Sequence, residues 1–348
     1  AVVQAIQEMK ARGLRVTFYP FILMDILAGN GLADPWSDAT SQPVIPWRGR
    51  ITLDTAPGRA GSQDGTTAAE SEIGLFVGSA RPSDFAVEEG RVVYKGPAEW
   101  SYRRFILHYA HLCALAGGVK AFCIGSELRS LTQVRDGRTS YPFVRALCAL
   151  AADVRAILGP DCKIGYAADW SEYFGHHPAD GSNDVIFHLD PLWAHPDIDF
   201  VGIDNYMPLS DWRDGSSHAD AHAESIFNLE YLRSNVAGGE GFDWFYSSDA
   251  AREAQSRTPI VDGGYGEHWV FRYKDIRSWW SQTHVNRVGG IRGDQATDWV
   301  PQSKPIWFTE LGCPAVDKGT NQPNVFHDPK SSESFLPYFS NGGQDTFI

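Results

Sequence analysis

Two glutamates stand in matching surroundings. In "SKPIWFTELGCP", Ser303 to Pro314, the apolar run Ile306-Trp307-Phe308 leads into Thr309 and Glu310. In "VKAFCIGSEL", Val119 to Leu128, another short apolar run ends in a small-residue turn and Glu127. Each run reads as a buried strand, and each glutamate is followed by leucine. A buried carboxylate without a partner is costly, so a glutamate in such a place has a partner or a task. Two facing carboxylates are what hydrolysis of a glycosidic bond needs. One protonates the leaving oxygen, and the other attacks the anomeric carbon or activates water. The plainer reading, a helix cap or an arginine pair at the rim, suits one such glutamate better than two in the same context.

Other strand ends add polar groups. Asn205 and Tyr206 close "DIDFVGIDNYMPL", where a phenol can stand beside a catalytic carboxylate. Asp169 and Trp170 close "CKIGYAADW", and Tyr19 closes an early strand; these three are candidates to line a sugar cleft. His176-His177 with Asp180 has the residue types of a metal site, but the flanking Gly and Pro favour a solvated loop. No metal is expected. The chain has no GxSxG elbow and no phosphate-cradling GxGxxG or GxxxxGK[ST], so no cofactor is expected either.

The strands that carry these groups alternate with helical stretches. "WSYRRFILHYAHLCALAGG" places Tyr102, Phe105, Ile106, Tyr109, Leu112 and Cys113 on one helical face and ends at Gly117-Gly118. A second helix runs through Phe143, Leu147, Leu150, Val154 and Ile157 to Gly159-Pro160, and a third is expected near Ala219–Ser234. Residues 1–13 read as part of an amphipathic helix and Leu14–Ile22 as a strand. Residues 25–97 and 235–300 read as two long insertions, the first with a hairpin around Arg50–Asp54. Alternation of this kind predicts an α/β fold with a parallel sheet. Chemistry at the C-terminal strand ends makes it a (β/α)8 TIM barrel, one domain over residues 1–348.

Composition narrows the partners. The 348 residues are 43% hydrophobic and 21% charged, enough to bury a large core. A net charge of -13 argues against nucleic acid, which requires a basic face. No apolar run approaches the ~20 residues of a membrane span. The 12 Trp suit sugar stacking as well as core filling, with Trp36, Trp47, Trp244 and Trp269 in the insertions as candidates. Five cysteines without CxxC spacing read as free thiols, in keeping with synthesis in the cytoplasm.

These motifs resemble known ones. "FCIGSEL" and "IWFTELG" resemble the fourth- and seventh-strand motifs of clan A retaining glycoside hydrolases, particularly a β-mannanase family that uses Gly-Thr-Glu and Phe-Thr-Glu. "DFVGIDNYMPL" resembles that family's sixth strand. The block from Phe308 to Ser340 resembles the TIM-barrel-like domain of gene transfer agents, part of a large phage-tail hub protein. The resemblance implies Glu127 as acid/base, Glu310 as nucleophile and Tyr206 as the group steadying it. Ser126 stands where clan A members commonly have an Asn that contacts the substrate 2-hydroxyl. In that numbering only one strand precedes Glu127, so the sequence is expected to be an excerpt lacking the first two strands and the last.

The resemblance also implies a setting: a phage-tail-like particle, with other tail or baseplate proteins and a polysaccharide of the host envelope as partners. Two further readings stand beside this one. The first is a non-catalytic structural or carbohydrate-binding tail module with a vestigial site. The second is a free-standing metabolic α/β enzyme.

Overall fold

Five short runs pair into one parallel sheet. They are β1 (Thr17–Phe18), β2 (Ala121–Ser126), β3 (Lys163–Asp169), β4 (Phe200–Asn205) and β5 (Ile306–Leu311), and they lie side by side in that order. This computed structural model describes residues 1–342. A closed (β/α)8 barrel has eight strands; the sheet here, with five, is a TIM-barrel-like half-barrel among the described residues. The expected α/β class and parallel sheet are therefore found.

The chain divides into two compact units. The first comprises residues 1–43, 47–203 and 283–307, and the second 44–46, 204–282 and 308 onward. In the first unit β2 and β3 are buried along nearly their whole length, as parallel strands covered on both faces are. Ala121, Cys123 and Phe200 form a core against which Tyr19 and Trp307 pack, with Phe200 and Trp307 stacked at 4.1 Å. The crossovers are helices Tyr102–Leu115 and Pro142–Leu158. Ser101 caps the first by accepting from Arg104 N, and Pro142 opens the second where a missing N–H costs nothing.

Several expectations need correction. The strand expected over Leu14–Ile22 pairs only at Thr17 and Phe18, because Pro20 has no N–H for the ladder. The hairpin expected around Arg50–Asp54 is instead a 3-10 turn at Arg48–Arg50. The insertion's real hairpin joins Phe85–Glu88 to Arg91–Tyr94 through Glu89 and Gly90, both left-handed. The helix expected near Ala219–Ser234 breaks at left-handed Glu224 and restarts only at Leu229–Ser234, capped by Asn228. The run Ile306–Leu311 is only partly buried: as the edge strand among the described residues it leaves Phe308 50% and Leu311 70% exposed.

The second unit has little regular structure and is held by polar hubs. Asp211 accepts from Tyr246 Oη at 2.6 Å, Arg213 at 2.7 Å and Arg257 at 2.8 Å. The buried Lys274 ammonium donates to the carbonyls of Pro208 and Gly238 at 2.7 Å each and also to that of Asn235. All five cysteines are free, with Cys113, Cys123 and Cys162 buried, Cys148 half-buried and Cys313 exposed. No helix among the described residues is long and apolar enough to cross a membrane.

Candidate active site

In the first unit, regular pairing fails at the end of β2. Cys123 pairs with Gly165 and Ser126 with Ala167, so three steps along β2 match two along β3, a β-bulge. Gly125 lies within it. A Cβ there would stand 2.1 Å from Tyr102 Oη and 3.1 Å from Tyr166 Cε2, so glycine is what lets both rings close on the strand. Tyr102 Oη donates to Ile124 O at 2.6 Å and braces the bulged backbone.

Directly after the bulge, Glu127 takes a left-handed backbone, φ 49°. A residue with a side chain adopts this conformation only where its surroundings enforce it. Two bonds to β3 do so. Glu127 N donates to Ala167 O at 2.8 Å, and Leu128 N donates to Tyr166 Oη at 2.8 Å. Bulges re-aim the side chain that follows them, and here the side chain is the carboxylate singled out from sequence.

The Glu127 carboxylate is buried, 6% exposed, and the first insertion supplies its partners. Trp47 Nε1 donates to Oε2 at 2.6 Å, and Arg48 Nη2 lies 2.9 Å from the same oxygen. Arg48 also donates to Ser126 Oγ, at 2.6 Å from Nη2, and its guanidinium lies over the Phe21 ring. Tyr19 Oη and Ser126 Oγ are 2.7 Å apart. Tyr19, Ser126 and Glu127 are thus brought together.

Asp169, the last residue of β3, is buried and accepts from Ser171 N at 2.9 Å and from the Ser171 hydroxyl. Burial pushes its carboxyl above the ordinary range, against the pull of Ser171, Arg129 and Arg48. Trp170 follows it at the surface of the strand end, half-buried. Beneath Asp169 lies Glu172, fully buried, which accepts from Thr132 Oγ1 at 2.6 Å, Tyr166 Oη at 3.0 Å and Asp169 N at 3.0 Å. Burial, with the neighbouring Asp169, pushes its carboxyl up to about 7 despite these bonds.

In the second unit, Tyr206 Oη donates to Glu310 Oε2 at 2.7 Å. One residue earlier along β5, Thr309 Oγ1 donates to the buried Asp204 at 2.7 Å. Tyr206 and Glu310 are therefore brought together as the sequence pairing of phenol and carboxylate anticipates. Asn205 is turned to its own backbone, accepting from Met207 N at 3.2 Å.

Residues 176 and 177, expected in a solvated loop, are drawn inward. His176 Nδ1 lies 3.0 Å from Tyr141 Oη, and burial lowers its pKa to about 3. Asp180 pairs with Arg135 at 3.0 Å instead of joining the histidines. The loop is pinned because residues 176 and 186 exchange backbone bonds. Of the insertion tryptophans, Trp36 donates to Arg50 O at 2.8 Å, and Trp244 lies under the Arg257 guanidinium.

Sequence reasoning missed Arg48, Glu172 and Asp204. Arg48 sits in a loop with no local signal. The spacing Asp169-x-x-Glu172 after a strand resembles a capping box and points to Glu172. Asp204 precedes the Asn205-Tyr206 pair on the alternate face of the strand.

Parallel strands joined by helical crossovers, with carboxylates and phenols at their C-terminal ends, define a TIM-barrel-like α/β protein. The chain belongs to the GTA TIM-barrel-like domain family, which matches residues 100–348. Among solved structures it is similar to a GH113 β-mannanase, AaManA from Alicyclobacillus acidocaldarius in complex with ManMIm, at 16% identity and a TM-score of 0.28. That match covers 67% of this chain, which spans 41% of the mannanase chain. No curated protein matches the sequence.

Proposed function

We propose that the chain is the glycosidase-like part of a phage-tail-like hub protein, hydrolysing a polysaccharide of the host cell envelope with retention. The observation that carries the reading is the Tyr206–Glu310 hydrogen bond, 2.7 Å, which pairs a strand-end carboxylate with a phenol suited to steadying a nucleophile. The family assignment supports the setting, a gene-transfer-agent particle with other tail or baseplate proteins around it.

In this reading Glu310 attacks the anomeric carbon as the bond to the leaving oxygen breaks, and Glu127 gives that oxygen its proton. A glycosyl ester on Glu310 results. Glu127, now a carboxylate, takes a proton from water as the water oxygen attacks the anomeric carbon and releases Glu310. Tyr19, Ser126, Asp169, Trp170 and Asn205 contribute to the sugar-binding surface.

A second reading is favoured by one observation. Glu127 is already ion-paired with Arg48 at 2.9 Å and bonded by Trp47, and a proton donor must be released from such a pairing before it can act. A structural or carbohydrate-binding tail module with a vestigial site retains that pairing permanently.

Reducing-sugar release from purified envelope glycans by the full-length protein, with Glu127→Gln and Glu310→Gln beside it, separates the two. Turnover that both variants lose supports the glycosidase. Binding without release, unchanged in both variants, supports the binding module.

A further inference from the structure

We propose that Glu172 is a positioning residue for Glu127, acting through the Tyr166 hydroxyl on the backbone that holds Glu127 left-handed. The claim of a role in turnover rests on the glycosidase reading; the claim of positioning does not.

Glu172 is completely buried, and a carboxyl group in that position is retained only where donors converge on it. Three do, each from a different part of the strand-end structure. Thr132 comes from the short helix Arg129–Thr132 after Glu127, Tyr166 from the middle of β3, and Asp169 N from its end.

Tyr166 is the link. Its hydroxyl proton goes to Glu172 Oε1 at 3.0 Å, which turns a lone pair of the phenol oxygen toward Leu128 N, the donor at 2.8 Å. Leu128 immediately follows Glu127, whose φ of 49° is stable only while its flanking amides are held. The carboxyl thus fixes the phenol's orientation, and the phenol fixes the peptide after the candidate acid/base. Gly125 leaves the room this requires, since a Cβ there would press on Tyr166.

Both protonation states of Glu172 keep the link. As a carboxylate it accepts from all three donors. As an acid it can donate from Oε1 to Thr132 Oγ1, whose own proton then goes to Arg129 O at 3.1 Å. Glu172→Gln keeps an acceptor for Tyr166, whereas Glu172→Leu removes it.

The test is amide hydrogen exchange at Leu128 in the full-length protein, for the wild type, Glu172→Gln, Glu172→Leu and Tyr166→Phe. The expected result is exchange at Leu128 about tenfold faster in Glu172→Leu and Tyr166→Phe, with Phe122 and Ile164 amides unchanged and Glu172→Gln close to wild type. Unchanged exchange at Leu128 in Glu172→Leu overturns the proposal. So does an equal acceleration at all three amides, which marks general destabilisation.

Sugar release gives the second readout: kcat falls in Glu172→Leu with KM unchanged, and Glu172→Gln restores it. Faster Leu128 exchange without a fall in kcat overturns the role in turnover. Should the wild type release no sugar, the glycosidase reading fails, and Leu128 exchange still decides the positioning.

Discussion

Tyr206 Oη donates a 2.7 Å hydrogen bond to Glu310 Oε2, joining the residue after β4 to a side chain of β5. A hydrogen bond to a charged group contributes about 1.5–3 kcal/mol. If Glu310 is the nucleophile, Tyr206→Phe lowers kcat by roughly 10- to 100-fold with KM little changed. Steady-state kinetics on the released sugar checks this, with circular dichroism as the control for folding.

Arg48 and Glu127 form a part-buried ion pair, with side chains 13% and 7% exposed. Removing one member of a buried pair costs about 3–5 kcal/mol, because the other is left charged and unsolvated. Arg48→Met is therefore expected to destabilise the protein by a few kcal/mol. Adding Glu127→Gln to it should cost little more. Urea unfolding of both single variants and the double variant gives the coupling energy directly.

Gly125→Ala places a methyl group 2.1 Å from Tyr102 Oη. Overpacking of this kind costs about 1–3 kcal/mol. The expected outcome is a lower Tm, partly recovered by Tyr102→Phe, which removes the oxygen in closest contact. Thermal unfolding of the two single variants and the double variant checks it.

Glu172 has its pKa raised from 4.5 to about 7, chiefly by burial. Between these values the unfolded chain has released the proton and the folded chain keeps it, so folding takes up a proton. Stability from this group is present in full below the unfolded value and declines as pH rises toward 7. The size is about 3 kcal/mol. The stability of wild type relative to Glu172→Gln should fall by that amount from pH 4.5 to pH 7, measured by chemical denaturation at each pH. A flat difference would show that burial does not raise the Glu172 pKa in the folded state.

The parts of the structure legible in the sequence are those set by local pattern. Helix Tyr102–Leu115 follows from apolar residues at helical spacing, with Ser101 before them and Gly117 after. Strands β2, β3 and β4 follow from short apolar runs bounded by turns, because strands covered on both faces need no alternation. Glu127 and Glu310 were visible because a carboxylate at the end of such a run is chemically out of place. Tyr206 was visible for its type and its position after a strand.

Other features were decided only by tertiary structure. The exposure of β5 depends on which neighbours a strand finds, and no window of sequence encodes neighbours. The ion pair of Arg48 with Glu127 joins residues 79 positions apart in the sequence, one of them in a loop without periodicity. The β-bulge before Glu127 exists only as a mismatch between two strands, so neither strand alone records it. Glu172 has its place in the site only through burial among Thr132, Tyr166 and Asp169, which the sequence does not record. Residue type and spacing chose the two glutamates, while packing across the chain chose their partners, because a partner is fixed by distance in space.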